Sequence, residues 1–205
     1  MGKVAFIVEG HGEYDTFLSF ASKILGQIYF PISNAMGIGN IMKNTGDELL
    51  KVIKLCKPEK VIITLDYREA LRENLVKDCI ELKEKIYENC NQFIESQKNG
   101  SLQMPAEIIV IIADKTYESW LCADYEGLKD NKLINSGLIT ETFQNVDEEI
   151  PSPNSWLNSK LKKGVNLKKK AHRKLIASTL RPEIASQNSR SFRKFYKEIM
   201  RINVA

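Results

Sequence analysis

Continuous apolar runs alternate along this chain with stretches in which apolar side chains recur at helical spacing. The clearest runs cover residues 3–8, 60–65 and 107–113, and a further one covers residues 28–32. Runs this short and this rich in β-branched residues predict strands that are buried on both faces of a sheet. Because helical stretches separate the runs, we expect parallel pairing with right-handed crossovers: an α/β fold with a parallel sheet flanked by helices.

The helical stretches divide the chain into two regions. An amphipathic helix opens at Glu13, a short one follows a glycine-containing loop at residues 34–44, and a long one is predicted over residues 70–97. The periodicity weakens after Glu126, and basic helices are predicted to begin near residues 168 and 189. We therefore expect a metal-binding domain over residues 1–125 and a basic, mostly helical extension over residues 126–205 that packs on or beside it.

Three of the predicted strands end on an acid: Glu9, Asp66 and Asp114. In parallel α/β sheets, ligands bind beyond the carboxyl ends of the strands, so these acids are expected at one edge. Acids at neighbouring strand ends repel unless a cation or a proton lies between them. Carboxylate oxygens are ligands that suit Mg²⁺ or Mn²⁺. Glu13 follows Glu9 by four residues and could reach the same ion, or it could only complement the helix dipole.

The residues next to these acids leave alternatives open. Arg68 could bind a phosphate oxygen, and Glu69 could be a further metal ligand. Alternatively, the two residues could only cap the following helix and form an ion pair with each other. His11 could act as an acid or base, or it could be an ordinary loop residue. Glu118 could share a helix face with Asp114 if that helix begins early, since the two are four residues apart.

Charge is distributed very unevenly along the chain. From Lys160 to the end there are 14 Lys and Arg against two acids, whereas the first 159 residues carry 16 basic and 24 acidic side chains. This pattern indicates metal chemistry in the acidic part and polyanion binding in the basic part, although a basic helix with no partner is the simpler alternative. The residues expected to contact nucleic-acid phosphates are Lys168, Lys169, Lys170, Arg173, Lys174 and Arg193.

The remaining composition indicates a cytoplasmic protein without a membrane segment. No apolar run approaches the length of a transmembrane helix, and the first run ends at Glu9 without a signal-peptide cleavage pattern. The four cysteines form no CxxC pair and are expected to be reduced core thiols. With only two histidines and no CxxC pair, a four-ligand zinc site is not expected.

Two motifs at the strand ends resemble a known domain. Val8-Glu9-Gly10-x-x-Glu13 follows the first strand, and Asp66-x-x-Glu69 follows a later one, as in the Toprim domain of topoisomerases, primases, maturation ribonucleases and OLD nucleases. The Glu-Gly pair with a further acid is most similar to the OLD type. Residues 117–124 and 191–195 resemble short, standalone Toprim-like proteins that often occur beside ATPases in microbial defence loci.

The resemblance implies a Toprim/Rossmann-like fold and a Mg²⁺-dependent nuclease that works with an ATPase partner in antiviral defence or DNA repair. It implies metal ligation by Glu9, Glu13, Asp66 and Glu69, and catalysis by Glu9, Asp66, Arg68 and Glu118. Arg68 departs from the family pattern, which often has a second aspartate there. That departure favours an alternative, a non-catalytic nucleic-acid-binding or phosphate-sensing subunit of an ATPase-containing complex. A receiver domain that uses Asp66 as phosphoacceptor fits less well, because it has no role for the basic segment.

Overall fold

A computed structural model describes residues 4–26, 30–139 and 141–201. The strands are β1 Val4–Val8, β2 Ile32–Asn34, β3 Lys60–Asp66 and β4 Glu107–Ala113. The helices are α1 His11–Leu25, α2 Ile38–Cys56, α3 Tyr67–Arg72, α4 Cys79–Ser96, α5 Glu118–Cys122, α6 Tyr125–Asp130, α7 Val146–Glu149, α8 Pro153–Lys160, α9 Lys170–Thr179, α10 Pro182–Asn188 and α11 Arg190–Met200.

The four strands form one parallel sheet in the order β2-β1-β3-β4. The predicted α/β class, a parallel sheet flanked by helices, is therefore confirmed. The chain runs outward from β1 to β2 on one side and then crosses back to β3 on the other, so the direction of winding changes between β1 and β3. In open parallel sheets this change leaves a crevice at the carboxyl ends of the two strands. Glu9 and Asp66 belong to these two strand ends.

One face of the sheet is covered by α2 and α4. Side chains alternate along each strand, so Ala5 and Ile7 of β1 lie on the same face as Val61, Ile63 and Leu65 of β3. They form one buried apolar cluster with side chains of the two helices, including Ile41, Leu49, Ile53, Leu82 and Ile86. Burying an aliphatic side chain of this size stabilises the fold by about 1.5–3 kcal/mol, which makes this layer the main support of the strand ends.

The chain divides into two compact units. Among the described residues, the first consists of residues 4–14 and 30–114, and the second of residues 15–26, 115–139 and 141–201. Helix α1 therefore contributes its first residues to the first unit and the remainder to the second. The sequence prediction placed the division at residues 125/126, whereas α5 belongs to the second unit because its Trp120 packs there.

The second unit is built around an aromatic cluster. Trp120 is buried with its ring 5.1 Å from that of Phe195, and Phe195 lies 5.3 Å from Phe17. Phe20 and Phe192 complete the cluster, with their rings 6.0 Å apart. Phe192 and Phe195 of α11 are thus core residues of the second unit, and so is Trp120.

A buried carboxylate fixes the start of α11. Asp147 is fully buried and accepts hydrogen bonds from the Ser119 hydroxyl at 2.9 Å and from the Ser191 backbone N–H at 2.8 Å. The Ser189 hydroxyl donates to it as well, at 2.9 Å. Trp120 Nε1 donates to Ser191 Oγ at 2.8 Å. The motifs that contain Trp120 and Ser191 thus form the interior of the second unit.

Three predicted elements differ from the structure in their bounds. The long helix over residues 70–97 is wrong: α3 ends at Arg72, Asn74 takes a left-handed conformation with φ 54°, and Asp78 caps a new helix by accepting from Glu81 N at 2.8 Å. The loop at residues 34–44 is also shorter than expected, because α2 begins at Ile38. Of the strand predicted at residues 28–32, Ile32 lies in β2, and residues 28 and 29 lie outside the described chain.

Within the described ranges, no helix has the length and apolar character needed to cross a membrane. All four cysteines are free thiols; Cys90 and Cys122 are core residues, as the sequence predicted, whereas Cys56 is only partly buried and Cys79 is exposed. Burial raises the pKa of Cys90 to about 12 and also raises that of Cys122, so these two are structural rather than reactive thiols.

Candidate functional site

Glu9 and Asp66 are joined directly at the change of winding between β1 and β3. Glu9 follows the last residue of β1, and its side chain is buried, with 4% of the residue exposed. Its Oε2 accepts a hydrogen bond from the backbone N–H of Asp66 at 2.9 Å. Asp66, the last residue of β3, is 7% exposed. The structure therefore brings together the two strand-end acids that the sequence singled out first.

The environment of Glu9 favours its protonated form. Burial is the main cause that raises the pKa of Glu9 to about 8, and the Asp66 N–H opposes this effect. The negative charges of Glu13, Glu69 and Glu73 raise the pKa further. An acid in such a position holds a proton near neutral pH unless a cation compensates its charge, which is a property often found at functional sites.

Glu13 is a further buried acid of the first unit. It lies in the first turn of α1 and is 5% exposed. A Cβ at Gly10 would come within 3.3 Å of Glu13 Oε2, so a glycine at this position leaves room for the carboxylate. The Glu13 carboxylate thus interacts favourably with the positive N-terminal end of the α1 dipole, and its negative charge also acts on Glu9.

Thr64 is a polar side chain of this region that the sequence reasoning missed. It lies two residues before Asp66, on the same face of β3, and opposite Val8 of β1. It is 3% exposed, and its hydroxyl has no hydrogen-bond partner among the described residues. Burial of an unsatisfied hydroxyl costs about 1–3 kcal/mol. The signal available in the sequence was a single hydroxyl within an otherwise aliphatic strand.

The residues of α3 lie farther out. Arg68 is exposed, and Glu69 Oε1 accepts a hydrogen bond from Arg72 Nη2 at 2.8 Å with 39% of its side chain exposed. Glu73, which caps the end of α3, also acts electrostatically on Glu9. Glu73 was missed because the sequence placed it inside a continuous helix. Glu69 therefore influences Glu9 through its charge while it pairs with Arg72.

The donor set fits Mg²⁺ bound by few protein ligands. No group of three or more His, Cys, Asp or Glu that could hold a metal ion occurs among residues 4–26, 30–139 and 141–201. Mg²⁺ commonly takes one or two protein carboxylates and completes its shell with water and phosphate oxygens. Glu9 and Asp66 are two carboxylates at neighbouring strand ends, and the Thr64 side chain lies on the same face of β3 as that of Asp66. These residues suit that mode rather than a cage made only of protein ligands.

Glu118 lies in the second unit, at the first position of α5. Its Oε1 accepts a hydrogen bond from Asn154 Nδ2 at 2.9 Å. Because α5 begins at Glu118, Asp114 precedes the helix and shares no helical face with it. Asp124, which ends the same sequence motif, caps α6 and binds Arg181 through Nε at 2.9 Å. The contacts of both motif acids are thus structural contacts within the second unit.

The basic residues of the second unit fall into two groups. Lys168, Lys169, Lys170 and Lys174 are exposed. Arg173 is instead paired with the buried Asp15 and donates to the carbonyl oxygens of Leu167 and Lys168 at 2.9 and 3.0 Å. Arg193 is exposed but donates to the carbonyl oxygens of Ser186 and Gln187, both at 2.7 Å. The side chains of the two arginines therefore make structural contacts within the second unit, and the lysines provide the exposed positive charge.

Comparison of the chain with protein-family models, with curated proteins and with solved structures yields no match.

Proposed function

We propose that this protein is a Mg²⁺-dependent nuclease that hydrolyses phosphodiester bonds of nucleic acid. The observation that carries the proposal is the hydrogen bond from the Asp66 backbone N–H to the Glu9 carboxylate, between two buried acids at the change of winding of a parallel sheet. The Toprim-like motifs at the same positions support it. The unsatisfied hydroxyl of Thr64 supports the presence of a further oxygen ligand or a bound water there.

In this proposal Glu9 and Asp66 hold the ion, with Thr64 beside them. When bound, Mg²⁺ lowers the pKa of its water and neutralises phosphate charge. Glu13, which is buried in the same negative field, accepts the proton that hydrolysis releases. The exposed Arg68 contacts a phosphate oxygen of the substrate.

The exposed lysines of the second unit provide the polyanion contacts. Lysine side chains neutralise phosphates as point charges without reading sequence, so the expected binding is sequence-independent. An ATPase partner and a role in defence or DNA repair rest on the resemblance of residues 117–124 and 191–195 alone.

A second candidate function is a non-catalytic nucleic-acid-binding or phosphate-sensing subunit of an ATPase-containing complex. Two observations favour it: Arg68 stands where the related domains often have a second aspartate, and Glu69 pairs with Arg72. Both reduce the number of acids offered to a second metal ion.

The test compares Glu9→Gln and Asp66→Asn with a matched control, Glu88→Gln, which replaces an exposed acid of α4. Labelled single-stranded DNA, duplex DNA and RNA are incubated with Mg²⁺, with Mn²⁺ and with EDTA, and Mn²⁺ binding is measured by calorimetry. We expect cleavage only with a divalent ion, and a loss of about 10²–10⁴-fold in both site variants but not in the control.

Cleavage by the two site variants at the wild-type rate would contradict the nuclease proposal. Nucleic-acid and Mn²⁺ binding without cleavage under any condition would favour the second candidate. Absence of Mn²⁺ binding by the wild-type protein would contradict the metal site itself.

A further inference from the structure

The loop between β2 and α2 is bonded to the backbone of Glu9. Asn34, the last residue of β2, lies opposite Val8 in the sheet register. Ala35 N donates to Val8 O at 2.9 Å, and Gly37 N donates to Glu9 O at 2.8 Å. Asn34 therefore lies at the carboxyl edge of the sheet, next to the strand end that carries Glu9.

The same loop fixes the orientation of the Asn34 side-chain amide. Met36 N donates to Asn34 Oδ1 at 2.9 Å, which closes a short turn in which Met36 has φ 64°. With Oδ1 occupied by a donor, the amide nitrogen Nδ2 is directed to the ring of His11, 3.1 Å from Nδ1. The reverse orientation would place the amide NH₂ against the Met36 N–H.

This orientation determines which ring nitrogen of His11 carries a proton. An amide NH₂ can only donate, so Nδ1 must accept with its lone pair, and the proton of the neutral ring must be on Nε2. A ring protonated at Nδ1 would set two donors against each other. His11 is exposed and begins α1 two residues after Glu9. Its Nε2–H is consequently a hydrogen-bond donor at the edge of the sheet that carries the acids.

We infer that His11 binds a phosphate oxygen of the nucleic acid through Nε2–H, and that Asn34 is the positioning residue that holds the ring in this tautomer. The inference deepens the proposed function and rests on it for the identity of the substrate. It assigns His11 a role as a donor, not as an acid or base. In their ionised form, the acids of the site have no hydrogen-bond donor for a phosphate oxygen. The Nε2–H of His11 is a neutral donor that can provide this hydrogen bond.

The tautomer can be measured directly. In ¹⁵N-histidine-labelled protein only His11 and His172 give signals, and His172→Gln identifies them. Long-range ¹H–¹⁵N correlation at mildly alkaline pH should show His11 protonated at Nε2. Asn34→Asp keeps the oxygen that Met36 N requires but replaces the donor with an acceptor, so we expect the proton to move to Nδ1. Protonation at Nδ1 in the wild-type protein would overturn the inference.

The donor role is tested with His11→Gln and His11→Ala. A glutamine amide can place an N–H near the position of Nε2, whereas alanine cannot. Binding of a single-stranded oligonucleotide is measured by fluorescence anisotropy with Ca²⁺ in place of Mg²⁺, and cleavage with Mg²⁺. We expect His11→Ala to weaken binding by about 10- to 100-fold and His11→Gln to stay within a few-fold of the wild type. Unchanged binding in His11→Ala, or equal losses in both variants, would overturn the inference.

Failure of this inference and failure of the proposed function give different results. Mn²⁺ binding should depend on Glu9 and Asp66 and should be the same in both His11 variants. If Mn²⁺ binding does not require Glu9 and Asp66, the metal-site proposal is wrong, whatever the state of His11. If it does require them and His11→Ala binds the oligonucleotide like the wild type, only the role of His11 is wrong.

Discussion

Glu9 occupies a position that disfavours its own charge. Its carboxylate is buried and accepts one backbone N–H, and the acids that act on it all raise its pKa. An apolar or amide side chain at the end of β1 would avoid this electrostatic cost. A bound divalent cation would compensate the charge, which gives a physical reason for an acid at this strand end.

The metal-free protein should therefore become less stable as the pH rises. The pKa of Glu9 is about 8 in the folded protein against an ordinary value of 4.5, so between these values the folded state keeps a proton that the unfolded chain releases. The free energy of unfolding then falls with pH across this window, by at most about 1.4 kcal/mol per pH unit, and becomes level above it. Urea denaturation in EDTA at pH 5, 6.5 and 8 measures this slope.

Glu9→Gln is the variant that isolates this effect. Glutamine keeps an oxygen that can accept the Asp66 N–H but has no charge, so the variant should gain stability over the wild type between pH 5 and pH 8. Glu88→Gln, on the exposed side of α4, should follow the wild-type slope. A wild-type slope retained in Glu9→Gln would show that Glu9 is not the group responsible.

The individual site residues were predictable to different degrees. Glu9 and Asp66 were found because an acid at the end of an apolar strand is visible in the sequence. Thr64 lies within such a strand and looks like an ordinary β-branched residue there. The role of Asn34 depends on the turn at Met36. The left-handed backbone conformation of Met36 is not indicated by any sequence pattern.

At the scale of elements, the start of α9 shows why adjacent cations have different roles. Arg173 has 16% of its side chain exposed and pairs with Asp15, whereas Lys174 is exposed. Burial by itself would raise the pKa of Asp15, but the hydrogen bonds from Arg173 and Lys170 outweigh burial and lower it. The pair therefore contributes stability that is present above the ordinary pKa of the carboxyl and is lost as the pH falls through the lowered value.

We expect Arg173→Gln to destabilise the protein by about 2–4 kcal/mol, because it leaves the buried Asp15 without its main partner. Lys174→Gln should change the unfolding free energy by less than about 0.5 kcal/mol, since its side chain is exposed. Thermal and urea unfolding of the two variants provide the comparison. Equal stability of both would mean that the contact between Arg173 and Asp15 contributes little.

Elements were predicted well where apolar runs are long, and poorly where single residues end a helix. β3 and β4 were located within one residue at each end, since buried parallel strands are continuous apolar runs. The break between α3 and α4 was missed because apolar residues continue at helical spacing through it. What ends α3 is the left-handed Asn74, and what starts α4 is the Asp78 cap, both of which are local backbone effects.

At the scale of the whole molecule, the two compact units carry different chemistry. The buried acids around Glu9 belong to the first unit, and the exposed lysines around α9 belong to the second. The sequence indicated this separation through its charge distribution and predicted the division at residues 125/126. The packing partners of Trp120 are distant in sequence, at residues 17 and 195, and no local pattern specifies them.

This separation predicts that nucleic-acid affinity and hydrolysis can be changed independently. Replacing Lys168, Lys169 and Lys174 with glutamine removes three exposed charges, and Lys170 is left in place because it contacts Asp15 at 3.1 Å. If each lysine contacts one phosphate, the slope of log K against log salt for a single-stranded oligonucleotide should decrease by about 2. Anisotropy titrations at several salt concentrations measure the slope.

The control for this experiment removes the same number of charges from the first unit, at the exposed Lys43, Lys54 and Lys77. It should leave the salt slope unchanged, which separates local phosphate contacts from the effect of net charge. Both triple variants should hydrolyse a small chromogenic phosphodiester at the wild-type rate, because such a substrate lacks the neighbouring phosphates that the lysines are proposed to contact. Equal slopes for the two triple variants would instead mean that the protein attracts nucleic acid only through its overall charge.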